Sequence, residues 1–219
     1  MPLRSEYPAN ASQYAELALG KGLELFTLSN RRYLGAKSKL LSQIDTAVEQ
    51  HLGKQPTTFM DAFAGSGVVA AHFAQAGALT ISSDLLLQNV VSLNSFLNHA
   101  EYDYEAACDA ILEMSSKKPL HGYISETFGG KYFSMENARR LDAAREYISL
   151  EIQERALQEF ALTSLLYAAD KVAQTVGHYD AFFSGATVDK PLLFRAPLPI
   201  GSGTGHKVFH KDANEVVKE

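Results

Sequence analysis

The sequence predicts an α/β fold with a mostly helical insertion, and three observations lead to this prediction. The first is a strand, turn and helix pattern over 58–71, where a short apolar run meets a tight glycine turn and then a smooth apolar helix pattern. The second is another strand pattern over 78–83, which ends at an acid, Asp84. The third is the stretch 101–200, in which helical periodicity dominates. Together they predict a Rossmann-like nucleotide-binding region interrupted by an insertion.

The glycine turn, Gly65-Ser66-Gly67, fits the pattern Gly-x-Gly-x-x-Ala of dinucleotide-binding turns. Each predicted strand ends at an acid, with Asp61 before the turn and Asp84 nineteen residues after Gly65. An acid about 20 residues past such a turn is placed to accept hydrogen bonds from ribose hydroxyls. An ordinary βαβ unit with close helix–strand packing would also need the glycines, but it does not account for acids at both strand ends. We therefore expect an adenosine-type ligand.

The helices that follow are predicted from periodicity and capping residues. A helix over Leu86–Leu97 closes the nucleotide-binding region. In the insertion, Ser134 is the predicted N-cap of a helix over Glu136–Ile148. A longer helix is predicted over Glu151–Val176, because a glycine, Gly177, then provides a stop.

The segment before the first strand is informative as well. Residues 1–55 are predicted to be helical around a basic glycine loop that contains Arg32, Tyr33, Gly35 and Lys37. Taken alone, this segment is better explained as a basic loop that caps a helix. A nicotinamide-dependent dehydrogenase usually places its glycine turn near the start of the domain, whereas here a long segment comes first.

The order of these two elements resembles the Dam-like, alpha-group N6-adenine DNA methyltransferases. In that family an element of the type Lys-Trp-x-Gly-Gly-Lys precedes Asp-x-Phe-x-Gly-Ser-Gly. Arg32-Tyr-Leu-Gly-Ala-Lys37 is similar to the first element, with three replacements, and Asp61-Ala-Phe-Ala-Gly-Ser-Gly67 matches the second. The resemblance continues through Asp84 to the stretches 132–137, 165–173 and 208–214, and so covers almost the whole chain.

The resemblance implies a Rossmann-like S-adenosylmethionine-dependent methyltransferase fold with a partial sheet and no metal. It divides the chain into a basic loop and cofactor-binding region (1–100), a helical insertion for DNA target recognition (101–200) and a return to the α/β domain (201–219). Asp61 and Lys37 would flank the methionine part of S-adenosylmethionine, Asp84 would take the ribose, and Asp212 would accept from the adenine amino group. The full set of implied cofactor-binding residues is Tyr33, Lys37, Asp61, Phe63, Ala64, Gly65, Ser66, Gly67, Asp84, Leu85, Asp212 and Ala213.

The resemblance also makes one absence informative. Enzymes of this family carry Asp-Pro-Pro-Tyr soon after the element that ends here at Asp212-Ala213, and that motif holds the target adenine. None of the seven prolines of this chain is adjacent to another, so no catalytic residue is assigned and we expect 1–219 to stop before that motif. Three explanations stay open: part of an enzyme whose catalytic half lies on a second polypeptide or was truncated, a non-catalytic protein that binds S-adenosylmethionine or DNA, and a less favoured NAD-dependent oxidoreductase.

Double-stranded DNA is the expected partner, although the net charge of −5 does not by itself favour DNA binding. Basic residues are concentrated locally, with six Lys and Arg against three Asp and Glu over 21–54. A glycine-rich tract, 201–207, is expected to be a mobile loop able to approach phosphates, or else only a solvated connection. Arg139 and Arg140 could contact bases or instead pair with Glu136 and Asp142. The expected DNA-binding residues are Arg32, Lys131, Tyr132, Arg139, Arg140, Lys207 and Lys211, with Tyr123 as a further contributor.

Composition predicts a cytoplasmic protein without membrane contact. The chain has 219 residues, is 46% hydrophobic and contains no apolar run long enough for a membrane span. Its single cysteine, Cys108, excludes an intramolecular disulfide. The histidines form no helical metal-binding pair, since His206-x-x-x-His210 lies in the glycine-rich tract.

Overall fold

The computed structural model describes residues 11–30, 35, 37–175, 181–183, 185 and 188–218. The predicted Tyr33 and Arg32 sites and the stop at Gly177 lie outside these residues. The α-helices, in chain order, are α1 (Ser12–Gly20), α2 (Leu41–Leu52), α3 (Val68–Gln75), α4 (Leu87–Leu97), α5 (Tyr104–Ser116), α6 (Tyr123–Phe128), α7 (Met135–Leu150), α8 (Arg155–Val172) and α9 (Ala213–Val216). The strands are β1 (Leu25–Phe26), β2 (Thr58–Asp61), β3 (Leu79–Ser83), β4 (Ala196–Pro197) and β5 (Lys207–Phe209).

The central sheet is parallel, with β3 between β2 and β5. Register places Asp61 beside Ser82, and Ser83 beside Phe209, so the carboxyl ends of the three strands meet at one edge. The residues that follow each strand at this edge therefore lie near one another, as in other open α/β sheets. This α/β arrangement agrees with the predicted fold class.

A second parallel pair joins β1 to β4, with Leu25 beside Ala196. The sequence analysis predicted only helix around a basic loop for the N-terminal region, and that prediction missed β1. Two residues give too short a pattern to be recognised, and the strand forms because a partner far along the chain supplies the hydrogen bonds. Ala196 N donates to Glu24 O at 2.9 Å, and Leu198 N donates to Phe26 O at 2.9 Å.

The insertion packs directly against the nucleotide-binding region through α8 and α4. Tyr167 of α8 is buried against Phe26 and Phe96, and its hydroxyl donates to Leu28 O at 2.9 Å. Thr163, also on α8, is fully buried and has its hydroxyl 3.5 Å from Val91 O of α4. The insertion therefore shares a core with the region that precedes it.

The predicted helix of the insertion at 136–148 is confirmed, with Ser134 as its N-cap: the Ser134 hydroxyl accepts from Asn137 N at 3.2 Å. The longer helix was predicted over Glu151–Val176 but spans Arg155–Val172, and both of those predicted ends are wrong. The helix stops early because Ala173 adopts an extended backbone and Gln174 N donates to Tyr132 O at 2.8 Å instead of continuing the helix. A tertiary hydrogen bond of this kind leaves no local sequence signal. No helix of the described residues is long and apolar enough to cross a bilayer.

Candidate cofactor-binding site

The glycine turn connects the end of β2 to the start of α3. Gly65 and Gly67 both have positive φ angles, +54° and +81°. A Cβ atom at Gly67 would overlap the buried side chain of Leu93 on α4, so only glycine fits there without movement. Ala64 N donates to Ser83 O at 2.9 Å, which ties the turn to the neighbouring strand. The turn is thus held close to the carboxyl end of β3.

Asp61, at the end of β2, carries a buried carboxylate oxygen, Oδ2, that accepts no hydrogen bond from any residue that the structure describes. Burial raises the pKa of Asp61 above its ordinary value, and the negative charge of Asp84 adds to this, whereas backbone N–H groups of Phe63 and Ala70 oppose it. A buried acceptor without a donor is unfavourable. The position therefore suits a ligand that brings a cationic or hydrogen-donating group.

Asp84, directly after β3, has both carboxylate oxygens engaged by N–H groups. Its Oδ2 accepts from Gly65 N at 2.7 Å, which connects the acid to the glycine turn. Its Oδ1 accepts from Leu86 N at 2.7 Å and from the side-chain amide of Asn89 at 3.1 Å. These donors fix the carboxylate at the edge of the sheet, next to the turn.

A cavity of about 530 Å³ opens over this edge. That volume falls in the range of small-molecule sites, about 300–1,000 Å³. Lys37 reaches the cavity while its ammonium donates to Gly35 O at 2.7 Å, and the Phe63 ring, 84% exposed, stands at its rim. The residues that line it are Gly35, Lys37, Ile44, Asp61, Phe63, Ala64, Gly65, Ser66, Val68, Val69 and Asp84.

The structure therefore brings together seven of the residues expected to bind a cofactor: Lys37, Asp61, Phe63, Ala64, Gly65, Ser66 and Asp84. Gly67 lies beneath the cavity, buried against Leu93, and Leu85 follows Asp84 as an exposed side chain. Sequence analysis missed Ile44, Val68 and Val69. Ile44 had a usable signal, since it lies on the apolar stripe of an amphipathic helix, α2, that has no fully buried residue.

Asp212 and Ala213 follow β5 and so lie at the same carboxyl edge, but they do not line the cavity. Asp212 is the N-cap of α9, and its carboxylate accepts from the backbone N–H and the side-chain amide of Asn214 at 2.8 and 2.9 Å. Ala213 is buried. A role for Asp212 toward a cofactor stays a prediction.

The glycine-rich tract 201–207 lies at the opposite edge of the sheet, because it precedes β5. Gly203 packs so closely on the buried His99 ring that a Cβ atom there would overlap it, and Ala100 N donates to Gly203 O at 3.0 Å. The expectation of a mobile loop is therefore wrong, since the tract is packed onto the protein. Lys207, at the start of β5, is exposed but does not lie with Lys37 at the cavity edge.

Two buried histidines hold this tract. His206 Nδ1 accepts from Thr80 N at 3.2 Å, so its other ring nitrogen, 3.3 Å from the Ser202 hydroxyl, carries the proton. Burial lowers the pKa of His206, and the nearby His99 adds to this effect. Burial also lowers the pKa of His99, whose Nδ1 lies 3.1 Å from the Tyr14 hydroxyl, while a hydrogen bond with the Gly201 backbone opposes the shift. Both rings are therefore neutral in the fold near pH 7.

The remaining residues expected to contact DNA are distributed over the insertion and the end of β5. Lys131 and Arg139 are exposed and Arg140 is half-buried. Tyr132 is half-buried between the rings of Phe128 and Phe182, at 5.6 and 5.0 Å. Lys211 follows β5 at the carboxyl edge of the sheet, where its carbonyl accepts from the Ser83 hydroxyl at 2.7 Å.

Asp142 forms no ion pair with the arginines of α7, which was one of the alternatives. It is buried, and its two oxygens accept from Ile124 N and Ser125 N at 2.8 Å each, so it holds the N-terminus of α6. The exposed Tyr123 is the first residue of that helix. No cluster of three metal-ligating side chains occurs among the described residues.

Comparisons with known proteins give concordant results. A family model for D12 class N6 adenine-specific DNA methyltransferases matches residues 33–219. The chain is 30% identical over 201 residues to Type II methyltransferase M.NlaIII of Neisseria lactamica, covering 85% of this chain and 60% of that protein. It is 28% identical over 212 residues to modification methylase StsI of Streptococcus sanguinis, covering 86% of this chain and 32% of that protein. It is 29% identical over 217 residues to modification methylase LlaI of Lactococcus lactis subsp. lactis, covering 86% and 33%. The chain thus spans from one third to three fifths of the length of these relatives.

Proposed function

Because this chain belongs to the D12 class N6 adenine-specific DNA methyltransferase family, we propose that residues 1–219 form the cofactor-binding and DNA-recognition portion of a site-specific adenine-N6 DNA methyltransferase. S-adenosylmethionine is the methyl donor of this family. The order of the element around Gly35 and the turn at Gly65 favours its Dam-like alpha group. Relatives named modification methylases favour a role in restriction–modification.

The observation that carries the proposal is the buried Oδ2 of Asp61 beside the glycine turn, for which the described residues supply no hydrogen-bond donor. S-adenosylmethionine has an ammonium group on its methionine part, and that group would give this oxygen the donor it lacks. The carboxylate of the methionine part would be met by Lys37, which reaches the same cavity. The residues present therefore fit the ammonium and the carboxylate of the cofactor.

The rest of the cofactor would extend along the carboxyl edge of the sheet. Gly65 to Gly67 would allow close approach of the backbone, and Asp84 would accept from the ribose. The exposed side chains of Phe63 and Leu85 offer apolar contacts for the adenine. Asp212 would have to keep its hydrogen bonds to Asn214 while it accepts from the adenine amino group, and a carboxylate has enough lone pairs for both.

The DNA-recognition role is assigned to the insertion, residues 101–200, between the cofactor-binding region, 1–100, and the return over 201–219. Methyl transfer to the adenine amino group requires that the base leave the duplex, because a stacked and paired base is not accessible for in-line attack. We assign contacts to the exposed Lys131 and Arg139, to Arg140 and Tyr132, and to Lys211 at the carboxyl edge of the sheet. Lys207 has the least support among the expected DNA-binding residues, since it lies at the amino end of β5, away from the cavity at the carboxyl edge of the sheet.

Residues 1–219 alone are proposed to transfer no methyl group. The adenine amino group is a poor nucleophile, and the family uses Asp-Pro-Pro-Tyr to supply acceptors and a stacking surface, whereas this sequence has no adjacent prolines. A polypeptide that carries the motif would complete the site by pairing with β2. That strand pairs only with β3 among the described residues, and Phe59 and Met60 on it are only half-buried.

Calorimetry and methyl transfer test the proposal together. S-adenosylhomocysteine should bind 1–219, while NAD should not, and tritiated methyl should not be incorporated into DNA by 1–219 alone. NAD binding without S-adenosylhomocysteine binding would favour the oxidoreductase alternative. Incorporation by 1–219, free of host enzyme, would show that the missing motif is not needed. A non-catalytic binding protein would be indicated if a polypeptide with Asp-Pro-Pro-Tyr failed to restore transfer.

A further inference from the structure

The side chain of Asn89 is a buried polar group in contact with the candidate site. Asn89 lies in the first turn of α4 and is 1% exposed. Its amide nitrogen donates to Asp84 Oδ1 at 3.1 Å. A buried asparagine in a helix is uncommon unless its hydrogen bonds are satisfied. The Asn89 side chain donates one of its two N–H groups to Asp84, the acid that faces the cavity.

The hydrogen bonds of Asp84 determine what it can offer a ligand. An ionised carboxylate has about four lone-pair sites, two on each oxygen. Leu86 N and Asn89 occupy both sites on Oδ1, and Gly65 N occupies one on Oδ2. Within the described part of the chain, one site is therefore left, on Oδ2, the oxygen on the side of the glycine turn. Asp84 can accept one ribose hydroxyl without losing a protein contact.

We propose that Asn89 is a positioning residue for cofactor binding, which holds Asp84 so that its one free lone pair faces the ribose. The inference rests on the proposed function, because it requires an adenosine ligand in this cavity. Without Asn89, one N–H would hold each oxygen, Leu86 N on Oδ1 and Gly65 N on Oδ2, and the carboxylate would keep more freedom about its terminal torsion, which is soft. The bond from Asn89 fixes the carboxylate plane, while Gly65 N fixes the other oxygen.

The test uses two ligands with the 1–219 chain, S-adenosylhomocysteine and its analogue that lacks both ribose hydroxyls. Asn89→Ala should weaken S-adenosylhomocysteine binding by about tenfold, within the range for residues coupled in one hydrogen-bond network. The same substitution should leave the affinity for the analogue within about twofold of wild type, because that ligand has no hydroxyl for Asp84 to accept. A purely structural role would weaken both ligands equally.

Ser92→Ala is the matched control. Ser92 is also a buried polar residue on α4, and its hydroxyl donates to Gln88 O at 2.9 Å without touching Asp84. This variant should bind both ligands as wild type does. If Asn89→Ala does not fold, the isosteric Asn89→Asp replaces it: the introduced acceptor would face the Asp84 carboxylate, and S-adenosylhomocysteine affinity should fall at least as far.

The outcomes separate this inference from the proposed function. Selective loss of S-adenosylhomocysteine affinity in Asn89→Ala supports the positioning role. Equal losses for both ligands, or Asn89→Ala behaving like Ser92→Ala, would overturn it while leaving the cofactor assignment in place. Failure of wild type to bind S-adenosylhomocysteine would overturn the proposed function and the inference with it.

Discussion

Replacement of Gly67 by alanine should destabilise the protein by a steric effect that can be measured separately from backbone strain. Gly67 and Gly22 have the same φ angle, +81°, so an alanine is equally strained at both positions. A Cβ atom at Gly22 meets nothing within 4 Å, whereas at Gly67 it would lie 3.1 Å from Leu93 Cγ and 3.2 Å from Leu28 Cδ1 and would overlap a Leu93 methyl group. Gly22→Ala is therefore a matched control.

The magnitudes follow from these contacts. The left-handed conformation costs alanine about 1–2 kcal/mol at either position. Overpacking adds about 1–3 kcal/mol at Gly67 only, because Leu93 and Leu28 are 1% and 3% exposed and have no room to move. The effect of alanine on the unfolded chain is the same at both positions and cancels in the comparison. We expect Gly67→Ala to lower the free energy of unfolding by about 1–3 kcal/mol more than Gly22→Ala does.

Urea unfolding measures this difference. Far-UV circular dichroism is the suitable signal, because the chain has no tryptophan whose fluorescence could be followed. The m-value should be the same for both variants, so that the shift in midpoint reports stability alone. Since Gly67 is the N-cap of α3 and follows the cavity residues Gly65 and Ser66, its alanine variant should also bind S-adenosylhomocysteine less tightly, while Gly22→Ala should not. Equal unfolding free energies for the two variants would show that the turn does not pack on α4 as described.

Three further predictions concern charge. Asp61→Asn should weaken S-adenosylhomocysteine binding by about 1.5–3 kcal/mol, whereas binding of 5′-methylthioadenosine, which lacks the ammonium group, should be unchanged. The control is Glu146→Gln, a substitution at an exposed position of α7. Equal losses of affinity for both ligands would contradict the role of Asp61. Burial lowers the pKa of His99 and His206 in the folded protein, so below pH 6.5 the unfolded chain binds more protons than the folded one. The stability that these histidines contribute should be complete above that pH. It should fall as the pH drops, by at most about 1.4 kcal/mol per pH unit for each histidine. Thermal melts at pH 7.5 and 5.5 check this, and His206→Gln should show a smaller drop. In the complete enzyme, Lys131→Ala should reduce DNA affinity. It should also make log affinity fall less steeply with log salt concentration, by the contribution of about one phosphate contact. Lys118→Ala, at another exposed position, should do neither.

Sequence reasoning was most successful where local chemistry and long periodic patterns decide the structure. The strand ends at Asp61 and Asp84, the glycine turn and the N-cap at Ser134 each have a signal within a few residues. The family match over 33–219 is consistent with the α/β fold and the methyltransferase resemblance deduced from those elements.

The parts that sequence reasoning missed depend on contacts between distant segments. β1 forms only because β4 supplies its partner, and α8 ends at Val172 because Gln174 bonds to Tyr132. The glycine-rich tract was expected to be mobile because glycines usually permit motion, but here they allow the chain to pack against His99. The contact between Asn89 and Asp84 was missed because an asparagine inside an apolar helix pattern has no distinctive spacing.

The most direct test of the cofactor site is a crystal structure of 1–219 with S-adenosylhomocysteine bound. We expect the ligand ammonium at about 2.7–3.2 Å from Asp61 Oδ2, the methionine carboxylate near Lys37, and one ribose hydroxyl on Asp84 Oδ2 with the Gly65 and Asn89 bonds kept. A ligand bound elsewhere, or one in this cavity that leaves Asp61 Oδ2 without a donor, would contradict the account.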